Sequence, residues 1–224
     1  MTAKHCFLGL TLLLLLGTGC SDTRTVRVAV PPRMDLRGYN TVGLIASTSN
    51  AKGGELDRMS TQRFLRAVQA AQPGTRVIEL GNEQWVLGSV GRRTWDRETL
   101  RLVGEQHGVD AVILGRLDVE KEKPQVSFSS FVKRVNVDQD VNAELSARVV
   151  ETGSGATMWS DGAKCTTNLN HASVGDRWGN FSANDPEKTY GEMVDGLVYR
   201  VTDGFRVHYV TREVPKNQVA ASAE

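Results

Sequence analysis

The sequence is short of most things that would announce an activity. Cysteine is scarce: Cys6, Cys20 and Cys165 are the only three in 224 residues. An excess of charge of one sign is absent. Lys and Arg number 27 against 26 Asp and Glu, and Lys4 is the only charge in the first 19 residues, so the rest of the chain balances. A nucleic-acid-binding surface carries a basic surplus, and a disordered solvating chain carries a large net charge with few apolar residues. The chain as a whole has no such surplus, and its hydrophobic content of 40% excludes the disordered class. Aromatics make up only 6%. The apolar run Phe7 to Leu16 is about half the roughly 20 residues a membrane-spanning helix needs. Catalytic signatures are missing too. There is no Gly-x-Ser-x-Gly elbow, no His-Glu-x-x-His, no Cys-x-x-Cys and no calcium loop. Gly53-Gly54 has Lys52 before it and Glu55 after it, the wrong order for a Walker loop.

The N-terminus carries the first positive signal. Met1 to His5 is short and basic, the apolar run follows, and Gly17-Thr18-Gly19 leads to Cys20. That is the layout of a secretory signal. Its end resembles a bacterial lipobox, although Gly17 stands where that family favours Leu and Leu16 lies one position further out. The resemblance implies cleavage over 1–19 and acylation of Cys20, which becomes residue one of the mature chain. Ser21 in place of Asp favours the outer membrane. Two or more acyl chains hold a protein stably on a bilayer. Cys6 leaves with the signal and Cys20 is capped, so Cys165 is a lone thiol with no intrachain disulfide partner.

Four regions follow: signal 1–19, lipidated N-terminus and tether 20–40, an α/β domain 41–211, and a loose tail 212–224. Val26, Val28 and Val30 alternate before Pro31-Pro32 and allow a short extended piece within the tether. Thr41 to Ser47 reads as a buried strand, and Leu56, Met59, Phe64, Leu65 and Val68 recur at helical spacing. Arg76 to Leu80 is a second strand. Asn82 caps a short helix, and Thr94 or Asp96 starts another that ends at Gly108. Ala111 to Leu114 is continuously apolar, as in a sheet covered on both faces. From Val137 to Asn168 two strands flank Glu151 to Gly155 as a hairpin, with Ala143, Leu145, Ala147 and Val149 alternating with polar residues. Asp185-Pro186 opens a long helix whose apolar face runs from Tyr190 through Met193, Val194, Leu197, Val201 and Phe205 to His208. The expected fold is α/β (α+β): a single mixed sheet in β-α-β-α-β-β-β-α order with helices packed on it.

Several local phrases carry a likeness. They are Asp35-Leu36 and Tyr39 before Val42-Gly43-Leu44-Ile45, then Val77-Ile78-Glu79-Leu80, then Gly108 to Gly115, then Val149 to Gly153 with Met158-Trp159-Ser160. In this order the chain, over roughly Asp35 to Val210, resembles the envelope-lipoprotein superfamily. That superfamily includes the curli-secretion channel lipoprotein, the penicillin-binding protein activator LpoB and the TolB N-terminal domain. The resemblance implies a periplasm-facing, outer-membrane-anchored module with a protein partner and an accessory or regulatory role in envelope assembly; with no catalytic set in the sequence, no enzymatic activity and no cofactor are expected. It raises an alternative, a subunit of an oligomeric secretion pore. Trp159 reads as a core aromatic that locks the hairpin to a helix.

The remaining candidates are few. Cys165, His171 and Asp176 can be drawn as a triad, but closeness in sequence is weak evidence for one. His107, His171 and His208 fit no metal spacing, and Asp176 and Asp185 fit none either. Arg92-Arg93 with Trp95, and Lys133-Arg134, are basic pairs rather than stripes. The segment 123–136, with Val126, Phe128 and Phe131, is too short for a spanning hairpin unless the flanking strands extend it. Phe128, together with Trp178 and Phe181 in the 170–183 loop, are the candidate partner contacts, since aromatics are enriched at interfaces.

Overall fold

The structure is a computed structural model that describes residues 23–50, 54–121, 125–129, 134–174 and 186–215. They form two units: Pro32–Arg206, and the two flanking segments up to Pro31 and from Val207.

The larger unit is organised around one central strand. After a 3-10 turn (Leu36–Gly38) come β2 (Val42–Ile45), β3 (Thr48–Ser49), α1 (Glu55–Ala71), β4 (Val77–Gly81), α2 (Glu83–Ser89), α3 (Arg97–His107) and β5 (Ala111–Lys121). Then β6 (Gln125–Ser129), β7 (Arg134–Glu151), β8 (Thr157–Val174), α4 (Pro186–Val201) and a second 3-10 turn (Thr202–Phe205) complete it. The label β1 is kept for Thr23–Val30 of the other unit, which pairs antiparallel with β9 (His208–Pro215). In the sheet β4, β2 and β5 run parallel, while β7 is antiparallel to β5, β6 and β8. The mixed sheet with four packed helices is the α/β architecture expected from the sequence.

Local chemistry explains the element ends. The Asn82 carboxamide accepts from Trp85 N at 2.8 Å and the Asp96 carboxylate from Thr99 N at 2.7 Å, each satisfying a donor that the first helical turn leaves open. Gly108 ends α3 in the left-handed region at φ 64°, where a Cβ is costly. The chain then turns into β5 over a knot. Asp110 Oδ2 accepts from Asn40 N and Thr41 N at 2.7 and 3.2 Å, and the Thr152 hydroxyl is shared between Val109 O and Asp110 O at 2.8 and 2.9 Å. Gly104 faces this knot: a Cβ there would lie 2.6 Å from Thr152 Oγ1.

Two cores sandwich the sheet. Val42, Leu44, Ala111, Ile113, Leu117, Val141, Ala143, Leu145, Ala147 and Val149 face Phe64 and Val68 of α1 and Met193, Val194, Leu197, Val198 and Val201 of α4. On the opposite face Ile45, Leu80, Val112 and Val150 meet Val86, Leu100 and Val103 of α2 and α3. Trp159 is buried at 8% exposure, its ring 4.6 Å from Phe205, which in turn stands edge-on to Phe64 at 6.4 Å. The hairpin is thus locked to the turn that follows α4. Arg63 of α1 donates to Gly191 O and pairs with Asp195 at 2.7 Å, stitching α1 to α4.

Three expectations are corrected. The stretch 20–40 is not a tether throughout: Thr23–Val30 is a strand, and Leu36 is fully buried in the core. The long helix ends at Val201, so His208 is not on its face but begins β9, which reaches Pro215 and overlaps the assigned tail of 212–224. The segment 123–136, read as too short for a hairpin of its own, is joined to its flanking strand: Gln125–Ser129 is a strand paired with Arg134–Asp138 of the long β7.

The two chain ends of the larger unit are held together by one side chain and one backbone hydrogen bond. Gln72, only 3% exposed, accepts from Leu36 N at 2.6 Å and donates to Met34 O and to Phe205 O. Met34 N also donates to Gly204 O at 3.0 Å. Entry and exit of the chain are therefore clasped together.

Candidate functional site

The candidate site follows from strand length. Helices α2 and α3 cover only the first part of the face that carries Val112 and Val150. Among the described residues, no helix packs on this face of β5, β7 and β8 beyond that part. The strand alternation places Arg116, Asp118 and Glu120 of β5 on this face, beside Asn142, Glu144, Ser146 and Arg148 of β7 and Ser160, Gly162, Lys164 and Thr166 of β8. All are exposed or half-buried. Where the helices stop, a groove of about 640 Å³ opens. Its walls include Trp95, Glu83, Leu114, Arg116, Ser146 and Arg148.

Its chemistry is polar and mixed in sign. Trp95 Nε1 donates to Glu83 Oε1 at 2.7 Å, holding the indole at the rim. Arg116 pairs with Asp118 at 2.9 Å, Lys164 with Glu144 at 2.9 Å, and Thr166 donates to Asn142 at 2.7 Å. The Glu144 carboxylate holds the Lys164 ammonium above the usual lysine range. Such exposed pairs contribute little to stability. On the opposite, closed side of β5, Gly115 makes room for the buried Ser47: a Cβ there would sit 2.7 Å from Ser47 Oγ.

The residues singled out from sequence fall elsewhere. Cys20, Trp178, Phe181 and Asp176 lie outside the described residues. Phe128 stands in β6 opposite Val135 of β7. Cys165 is a half-buried free thiol on β8, opposite Ala143. Burial pushes its thiol up from the ordinary range, against a smaller opposing effect of Arg200, so it is held protonated at neutral pH, the less reactive form. His171 is six positions further along the same strand, a Cα separation of about 20 Å at the rise of an extended chain, so the two are not brought together. His107 ends α3, with its Nε2 3.3 Å from Ser89 Oγ. Arg92 and Arg93 are exposed, and only Trp95 of that cluster joins the groove. Among the described residues no three His, Cys, Asp or Glu side chains converge as metal ligands.

The open sheet face is what sequence reasoning missed. Its signal was present in β5, where the apolar run Ala111 to Leu114 gives way to the strict alternation Arg116-Leu117-Asp118-Val119-Glu120. Continuous apolar sequence marks a strand covered twice; alternation marks one covered once.

No protein-family model matches the chain, and no curated protein matches it in sequence. Solved structures do match in path. The PelC dodecamer from Paraburkholderia phytofirmans is 9% identical, with 82% of this chain and 98% of that one covered at a TM-score of 0.39. The lipoprotein GNA1162 from Neisseria meningitidis is 14% identical over 72% and 97%, at 0.38. The LpoB C-terminal domain from Salmonella enterica is 10% identical over 61% and 84%, at 0.36. Bacterial lipoproteins are thus among the proteins this chain resembles in path, and no role is carried over from them.

Proposed function

We propose that this chain is a lipid-anchored, non-enzymatic module on the periplasmic side of the outer membrane that binds a protein partner through its open sheet face, in an accessory role in envelope assembly. Acyl chains on Cys20 attach it. The observation that supports the reading is the half-covered sheet. A polar, groove-bearing surface on three long strands is a rigid platform of the kind partners dock on. The protonated thiol of Cys165, far along the strand from His171, supports the non-enzymatic part. Site-specific photo-crosslinking in membranes tests it. A crosslinker at Ser146, Arg148 or Ser160 is expected to trap one common partner, and one at Gln69 or Glu192 on the helices is not. Equal trapping from both sides, or none from the sheet, would remove the proposal. Cys20→Ala is expected to release the protein from the membrane fraction.

One observation favours the alternative of an oligomeric outer-membrane pore. At 18 residues each, β7 and β8 are roughly 60 Å long, well beyond the about 9–11 residues a spanning strand requires. The distal part of β7 pairs with β6, and apolar residues recur at alternate positions: Val126 and Phe128 opposite Val137 and Val135. Sizing in detergent separates the readings: a large ring supports the pore, and a particle of about the mature mass removes it.

A further inference from the structure

The ribbon of β1 and β9 is two-sided. Antiparallel partners share a face, so the register sorts Arg24, Val26, Val28, Val30, His208, Val210, Arg212 and Val214 onto one side. Thr23, Thr25, Arg27, Ala29, Tyr209, Thr211, Glu213 and Pro215 fall on the other, where Arg27 lies 5.0 Å over the Tyr209 ring. The first side is a valine face, with Val28, Val30 and Val210 each more than one-third exposed. An isolated two-stranded ribbon is marginal in water, and a row of exposed valines marks a surface that is covered in use.

We infer that the valine face seats on an anionic lipid surface, as a second attachment beside the acyl anchor; the inference rests on the reading of Cys20 as lipidated. Three observations select lipid. The strand begins at Thr23, three residues after Cys20, so at most about 10 Å of extended chain separates it from an acylated residue in the bilayer. The ribbon strands carry Arg24, Arg27 and Arg212 against the single acid Glu213, whereas 32–206 holds 22 Lys and Arg against 23 Asp and Glu. The chain's neutrality thus hides a basic ribbon. Finally, Arg24 and Arg212 lie on the valine face itself, and Glu213 does not. Stacking two copies through this face would bring four guanidinium groups together without a counter-charge, a costly burial. Anionic headgroups supply that charge, while long Arg side chains reach the interface above buried apolar contacts.

The test uses the mature acylated protein in vesicles of equal phosphatidylglycerol and phosphatidylcholine, against phosphatidylcholine alone. An environment-sensitive fluorophore is placed by Val28→Cys in a Cys165→Ala background, with Thr211→Cys on the polar face as control. The expected result is a blue shift at position 28 with phosphatidylglycerol and loss of its emission to brominated acyl chains, with no change at 211. Arg24→Gln with Arg212→Gln is expected to reverse both. Emission at 28 that is the same in both vesicles, or equal quenching at 28 and 211, overturns the inference. A shift that rises with protein concentration and escapes lipid quenching overturns it in favour of a second copy. Intact mass reports acylation of Cys20 separately, so an absent acyl group with quenching at 28 fails the anchor alone, and a present acyl group without quenching fails the ribbon alone.

Discussion

The two faces of the sheet are made by the same strands and have opposite fates. Under α1 and α4 the inward side chains Ala111, Ile113, Leu117 and Val119 of β5 and Val141 to Val149 of β7 are buried, and Gly115 among them is half-buried. On the other side, burial stops at Val112 and Val150, and the same strands present Arg116, Asp118, Glu144, Ser146 and Arg148. A period of two lets one strand serve both purposes, because each residue's face is fixed by its parity. The closed face holds the fold, and the open face presents polar side chains that the fold does not bury.

Substitutions can break this contrast, and the largest effect belongs to the closed face. Phe205 touches Phe64 and Trp159 and is fully buried, so Phe205→Ala is expected to cost about 3–5 kcal/mol in a denaturant titration. Gln72→Leu leaves Leu36 N, Met34 O and Phe205 O without their partner, and unmet buried groups cost about 1–3 kcal/mol each before relaxation. A loss below that of a surface change would show that the clasp is dispensable. Gly104→Ala probes the covered end of the other face. The added Cβ meets Thr152 2.6 Å away, and overpacking of this kind costs about 1–3 kcal/mol. Ser146→Ala, on the open half, is expected to stay within about 0.5 kcal/mol; a larger loss would mean that this half is structural after all.

The smallest effect concerns pH. Arg37, through its side chain and backbone N–H, holds the Asp35 carboxyl at about 2, below its ordinary 3.8. A depressed carboxyl stabilises the folded state fully above its unfolded value and loses that contribution as pH falls through about 2. Asp35→Asn is therefore expected to lower stability slightly at neutral pH, where that contribution is fully present, and to flatten the acid dependence between pH 4 and 2, both read from denaturant titrations.

Much of the closed face was legible in the sequence. Helical spacing at Phe64 and Val68, the caps at Asn82 and Asp96, the stop at Gly108 and the alternation at Ala143 to Val149 are local signals, and local rules read them. The core aromatic Trp159 was legible for the same reason. What failed was non-local. Leu36 is buried because Gln72 reaches across to its backbone, and Thr23–Val30 is a strand because a partner lies at the far end of the chain. The helix face was carried on to His208 although the chain breaks into a tighter turn at Thr202–Phe205, where Gly204 packs so closely on Trp159 that a Cβ would lie 2.7 Å from Nε1. The candidate site was half-readable. Parity in β5 announced an uncovered side, but which side the helices would leave bare depends on their packing, and no window of sequence holds that.

The clasp at Gln72 also sets an order of events. Val30 and His208 are joined by roughly 180 residues, and closing so long a loop in an unfolded chain costs about 4–5 kcal/mol from (3/2)RT ln n alone. Two strands in water cannot meet that. Once Gln72 and the Met34 to Gly204 hydrogen bond hold the exits together, the connection is only a few residues long and the ladder can zip. Topologically the protein is a hairpin whose loop is a folded domain. The ribbon is consequently expected to serve as an inspection mark, its ladder protected from amide exchange only in molecules whose clasp has closed.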